Sequence, residues 1–181
     1  MSLEQLIEQC KKNDTQAQSQ IYKLFASKLF SICLKYSRNY AEAEDNLQDA
    51  YVTIFKKIDQ FKGKGSFEGW LKRITINTAL QRYRSVGVYD IINEDQIEGS
   101  VSIEIDDDEM NLDFLLKIIQ ELPDRYRLVF NLYALDDYSH KEISKMLDIS
   151  VGTSKSNLAR ARLILKDKIE EYKANLNSQS L

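Results

Sequence analysis

Histidine occurs once in this 181-residue chain, proline once and cysteine twice. His140 stands alone, and Cys10 and Cys33 lie outside any CxxC spacing. Without a CxxC spacing or a histidine cluster no zinc site is visible, so no metal and no cofactor is expected. The cysteines fall on helical apolar patterns and read as small apolar side chains. A Walker loop, a nucleophile elbow, a HExxH helix and a paired-carboxylate cleft are all missing, and no catalytic role is expected. No apolar run approaches the length of a membrane span. The N-terminal MSLEQLIEQCKKND is amphipathic and carries acids, unlike a signal peptide, so the expected location is the cytoplasm, without direct membrane insertion.

With 43% apolar and 29% charged residues, the chain has the composition of a soluble globular protein able to bury one good core or two small ones. Its net charge of -3 hides a segregation along the sequence. Residues 85–111 hold nine acids and no Lys or Arg, which leaves +6 for everything outside. Residues 61–84 carry six basic side chains against Glu68 alone. Two basic stretches thus flank an acidic one, a distribution suited to a polyanionic partner despite the overall sign.

Apolar spacing predicts three helices before Phe61, marked by Leu3, Leu6, Ile7 and Cys10, by Ile21 to Tyr36, and by Leu47 to Ile58. FKGKGSF then breaks the period with two glycines, and Ser66 can cap a fourth helix from Phe67 to about Tyr83 with Trp70, Leu71 and Ile74 inward. Residues 1–84 are therefore expected to form one helical domain. Residues 85–111 lack a sustained period of either kind and are expected to be a linker. A second helical domain is expected over 112–175. It starts with a stripe of Leu112, Leu115, Leu116, Ile119 and Leu122, and continues after Pro123 with a helix from Asp124 to about Asp136. The fold class is all-α, two small helical domains joined by an acidic linker.

Tyr138 to Lys166 has the plan of a helix-turn-helix. Ser139 and Glu142 form a capping box, and Ile143, Met146 and Leu147 mark a buried face. Asp148 tolerates a left-handed backbone, and Ser150 is placed to cap a second helix starting near Val151. That helix carries Lys155, Arg160, Arg162 and Lys166 without an acid before Asp167, while Val151, Leu158, Ala161 and Leu165 can face inward. Its outer face suits phosphates and base edges. His140 reads as an exposed residue at a helix start. Further upstream, Asp45, Gln48 and Asp49 at i, i+3 and i+4 share one helix face, a row of acceptors suited to an arginine-rich partner.

Taken in order, AEAEDNLQDAYVTIFKKIDQF, FKGKGSFEGWLKRITINTALQRYR and LPDRYRLVFNLYALDDYSHKEISKMLDISVGTSKSNLARAR resemble the sigma-70 family of bacterial RNA polymerase sigma factors, in its extracytoplasmic-function (ECF) group. The resemblance covers nearly the whole chain. It implies a sigma region 2 bundle followed by a sigma region 4 helix-turn-helix, acting in transcription initiation. Core RNA polymerase, through its beta-prime clamp and beta subunit, and promoter DNA, duplex and single-stranded, are the implied partners; an anti-sigma factor is a further candidate. Carried onto this chain, Asp45, Gln48 and Asp49 would hold the clamp. Phe61, Lys62, Lys64, Ser66, Arg73, Asn77, Arg82 and Arg84 would serve the minus-10 loop and helix. Capturing a flipped base there needs polar groups and an apolar wall, with cations along the backbone. Lys155, Ser156, Asn157, Ala159 and Arg160 would meet the minus-35 element. Phe67, Trp70 and Leu71 read mainly as core.

Five positions depart from the family's usual residues: Asp49 for Glu, Tyr51 for Phe, Ser144 for Ala, Asp148 for Gly, and Ser154 for an apolar residue. Ser154 either bonds back to its own helix or faces DNA. The rival readings are a polymerase-independent helix-turn-helix repressor or activator, which leaves the glycine loop and the acidic face without a role, and a helical adaptor that binds only protein.

Overall fold

The computed structural model describes residues 1–84 and 111–179, so all of the acidic stretch but Asn111 lies outside the described residues. Those residues hold helices and no strand, and the chain divides into two compact units, Met1–Arg82 and Tyr83–Leu181.

In the first unit each helix begins where a side chain relieves the unpaired N–H groups of its first turn. Ser2 and Gln5 form a capping box for α1 (Leu3–Lys11). Asp14 Oδ1 accepts from the Ala17 N–H at 2.7 Å to open α2 (Thr15–Tyr36), and Asn39 Oδ1 accepts from the Glu42 N–H at 2.9 Å to open α3 (Tyr40–Lys57). A 3-10 turn, Ile58–Gln60, ends α3. The glycine loop follows, with Gly63 at φ 71° and Gly65 at φ 84°, conformations that any side chain would strain. Ser66 Oγ then accepts from the Gly69 N–H at 3.3 Å and starts α4 (Phe67–Arg84), as the sequence predicts.

The core of this unit is one stripe per helix. On α2, Ala17, Ile21, Phe25, Leu29, Cys33 and Tyr36 recur every three or four residues and are all buried, against Ile7 and Cys10 of α1, Leu47, Tyr51 and Ile54 of α3, and Phe67 and Leu71 of α4. Trp70 and Ile74 pack on this core while remaining partly exposed. Burial pushes the Cys33 thiol up to about 12, so it carries no thiolate at neutral pH and is a packing residue.

The second unit contains α5 (Leu112–Gln120), α6 (Asp124–Phe130), α7 (His140–Leu147) and the long α8 (Val151–Gln179). Ile118, Leu122 and Tyr126 pack against Ala161, Leu165 and Ile169 of α8. Three expectations need correction. Ile118, not Leu112, is the buried residue of α5; Leu112 is 77% exposed at the first position, two residues before Phe114 stacks on Tyr172 of α8. The helix after Pro123 does not run regularly to Asp136. It widens into a π-helical turn, Asn131–Leu135, where the Asp136 N–H reaches the Asn131 carbonyl and Tyr138 N–H the Leu132 carbonyl. Nothing in the apolar period marks that change. Val151 is exposed, because it precedes the turn of α8 that reaches the core.

The helix-turn-helix itself forms as its caps predict. Ser139 and Glu142 satisfy each other's backbone, Asp148 ends α7 at φ 55° and ψ 48°, and Ser150 Oγ accepts from the Thr153 N–H at 2.9 Å. His140 and Ser154 are where the sequence misleads. The His140 ring is half-buried, stacked on Tyr133 with centroids 4.4 Å apart, and its Nδ1 lies 2.9 Å from Ser154 Oγ. Ser154 is fully buried, so it neither faces DNA nor needs its own helix as partner; the pair ties α7 to α8 in place of the apolar contact usual at that position.

Burial, then the nearby cations Lys155 and Arg162, hold the His140 pKa below 6.5. The unfolded chain therefore takes up a proton first as pH falls. Stability contributed by neutral His140 is complete above about 6.5 and drains away as pH drops from there through the lower folded value. Thermal melts between pH 7.5 and 5.5 should show the wild type losing stability more steeply than His140→Gln. At position 148 the left-handed backbone costs most residues with a Cβ roughly 1–2 kcal/mol, and Asp, with its short polar side chain, less. Asp148→Gly should stabilise the second unit toward urea, and Asp148→Val should destabilise it by about that amount.

Candidate functional site

Two surfaces of the first unit follow from helical geometry. On α3, Ala43, Asn46, Leu47 and Ala50 are buried, which forces Asp45, Gln48 and Asp49 outward together. The carboxylates are 64% and 63% exposed, and both turn toward Arg82 of α4: Asp45 Oδ2 lies 3.8 Å from Nη1 and Asp49 Oδ2 3.5 Å from Nη2. Beside this face is a groove of about 310 Å³ between α2 and α3, lined by Tyr22, Ala26, Ser27, Phe30, Tyr40, Glu44, Leu47 and Gln48. Gln48 belongs to both features. The groove is absent from the sequence reading, whose one available signal was Tyr22 and Tyr40, aromatics that interrupt otherwise polar positions and remain exposed.

The second surface joins the glycine loop to the outer side of α4. Lys62, Lys64 and Ser66 are exposed, as are Arg73, Asn77 and Arg84. At 100° per residue, Asn77 and Arg84 lie within about 40° of Arg73 around the helix axis, so the three make one polar stripe. Arg82 lies about 180° from Arg73 on the same count, and its place on the acid pair agrees with that. The structure thus sets Arg82, expected among the minus-10 residues, toward α3 and apart from the Arg73, Asn77 and Arg84 stripe. Phe61 also differs from expectation. It is 9% exposed, with Phe67 at 5.0 Å and Trp70 at 5.5 Å between ring centroids, and forms the floor under the loop. Fixing that floor in the core holds the loop's cations above it.

On α8 the burial of Leu158, Ala161 and Leu165 decides what is presented. Lys155, Ala159, Arg162 and Lys166 follow one another within about 60° of arc beside that stripe, and Ser156 and Arg160 lie on the side facing away from it. Lys155 and Lys166 are exposed, Arg162 is half-exposed over the Tyr133 ring at 5.9 Å, and Ser156 flanks the row. Among the residues expected at the minus-35 element, Asn157 is only 8% exposed, on the buried side beside Ala161. Arg160 is half-exposed and points its Nη1 at the Tyr126 hydroxyl, 3.4 Å away.

Among the described residues no group of three or more His, Cys, Asp or Glu is placed to hold a metal ion, and no helix is long and apolar enough to cross a membrane. Each exposed surface is instead a set of charges and hydrogen-bonding groups on rigid helices. That arrangement suits polyanions and an oppositely charged protein face.

Comparison with known proteins places these surfaces. Residues 21–87 match the family described as Sigma-70 region 2, and residues 114–165 match Sigma-70, region 4; together they span more than half of the chain. The chain is 29% identical to the ECF RNA polymerase sigma factor SigW of Bacillus subtilis, over 94% of this chain and 98% of that protein. It is 26% identical to the ECF RNA polymerase sigma-E factor of Escherichia coli K12, over 91% and 93%. A solved structure, the sigma factor RpoE of Bartonella quintana in complex with the anti-sigma factor NepR, shares the fold with a TM-score of 0.54 at 24% identity, covering 84% of this chain and 96% of that one. The acidic face and the polar stripe of α4 fall within the region 2 match and the helix-turn-helix within the region 4 match, in the order and over the length of full relatives: the chain belongs to the sigma-70 family of RNA polymerase sigma factors, in its extracytoplasmic-function group.

Proposed function

We propose that this sigma factor directs promoter-specific initiation by core RNA polymerase through three separate surfaces and acts by binding alone. Asp45, Gln48 and Asp49, with the adjoining groove, hold the beta-prime clamp. Lys62, Lys64, Ser66, Arg73, Asn77 and Arg84 engage the opened minus-10 strand, over the apolar floor made by Phe61. Lys155, Ser156, Ala159, Arg160 and Arg162 meet the minus-35 duplex. Acids against an arginine-rich helix and cations against phosphate are the matching chemistries. The observation that carries the reading is that one chain presents an acidic helix face and two basic stripes within segments matched to regions 2 and 4.

In this scheme the acidic segment 85–111 is a tether whose charge suits the basic channels of polymerase before RNA fills them. The cytoplasm is the working compartment. An anti-sigma factor that covers the clamp-binding face is a further expected partner, since the fold is shared with a sigma factor solved in such a complex.

The test is capture of genomic promoter fragments by the chain alone and by the chain with bacterial core enzyme. Fragments retained only with core support the proposal; equal retention by the chain alone favours a polymerase-independent repressor. On a captured promoter, Lys155→Ala and Arg162→Ala should each weaken binding and, where the contact is a phosphate, lower the salt slope by about one. Asn157→Ala should leave that slope unchanged.

A further inference from the structure

Arg82 is the one residue whose sequence-based role and structural place disagree most. It was grouped with DNA contacts, yet it is about a third exposed, lies opposite the α4 stripe and bridges Asp45 and Asp49. The two carboxylates, one turn apart on α3, are the groups that a partner's guanidinium would seek. Because both remain nearly two-thirds exposed, Arg82 covers only part of each and leaves oxygen lone pairs for a newcomer.

Resting on the reading that this face docks core polymerase, we propose that Arg82 is an internal counter-ion of the docking face, occupying in the free protein the position that a partner arginine takes, and so sets how tightly core enzyme is held. The charge arithmetic gives the direction. Two carboxylates and one guanidinium present a single negative charge to an incoming basic helix, and the guanidinium repels that helix at close range. Without Arg82 the same face presents two negative charges, which raises both steering and contact energy. The alternative role for an arginine so placed is support, holding α3 and α4 in register so that the acids face outward. The two roles predict opposite signs. A supporting arginine weakens docking when removed, whereas a competing one strengthens it.

The geometry favours competition, because α3 and α4 are already fixed by buried side chains, Leu47, Ala50 and Ile54 on one and Leu71, Ile76 and Leu80 on the other. Solvent-exposed ion pairs of this kind contribute little to stability. Their effect on a charged partner falls within a Debye length of about 8 Å at physiological salt, so it persists in the cell and fades at high salt.

The experiment is titration of fluorescently labelled full-length chain with bacterial core RNA polymerase at 0.1 M and 0.5 M salt. Arg82→Met keeps the length and apolar stem and removes the charge; Arg82→Gln serves if the methionine variant fails to fold by circular dichroism, and Arg82→Lys restores the charge. The expected result is a roughly threefold to fivefold lower Kd for the uncharged variant at 0.1 M, the scale of exposed ion pairs, carried by a faster association rate. Arg82→Lys should lie near the wild type, and the gain should shrink at 0.5 M. It should vanish when Asp45→Asn and Asp49→Asn are added. Unchanged or weaker binding by the uncharged variant overturns the inference while leaving the docking face intact, provided that Asp45→Asn/Asp49→Asn alone weakens binding. If that double variant binds core enzyme as wild type does, the docking reading fails and the inference fails with it.

Discussion

Burial of one stripe per helix is the constraint on which the rest of this molecule depends. With 3.6 residues per turn, the positions committed to a core fix the positions left for partners. On α3 the burial of Ala43, Leu47 and Ala50 leaves Asp45, Gln48 and Asp49 together on the outside. On α8 the burial of Leu158, Ala161 and Leu165 leaves Lys155 and Lys166 exposed and takes Asn157 in. The same rule that packs each unit thus chooses which charges a polymerase or a promoter meets, and no further device is needed to display them.

Electrostatics then assigns partners to surfaces. A net charge of -3 would repel nucleic acid if it were spread evenly, but the acids concentrate in residues 85–111 of the sequence and on one face of α3, while the α4 and α8 stripes are basic. Within the first unit the two signs also meet at Arg82, where a cation of α4 lies over the acids of α3. Separation of sign by helix face lets a small protein hold a basic protein surface and a polyanion at once. A sigma factor requires that combination.

Much of the architecture was legible from residues with a direct physical role at an element's end or face. Ser66, Ser139 with Glu142, and Ser150 gave helix starts, Gly63 and Gly65 gave the loop, and Asp148 gave the left-handed turn, because caps and positive φ values depend on local chemistry alone. What escaped depends on contacts between residues distant in sequence. The π-helical turn at Asn131–Leu135, the His140 to Ser154 bond across fourteen residues and the Arg82 bridge across more than thirty leave no trace in periodicity. Asn157 and Arg160 were assigned to DNA by their match to relatives. The four-residue spacing of Asn157 from Ala161, about 40° of arc, already argued for its burial, whereas Arg160 lies about 200° from Leu158 and its contact with the Tyr126 hydroxyl leaves no trace in periodicity.

The most direct test of the central claim is mapping of RNA 5′ ends made by bacterial core RNA polymerase on genomic DNA, with and without this protein. The account predicts new, discrete start sites that share sequence elements near positions minus 35 and minus 10 and that disappear with an Asp45→Ala/Gln48→Ala double substitution. The same spectrum of starts with and without the protein, using a core enzyme that it binds, would contradict it.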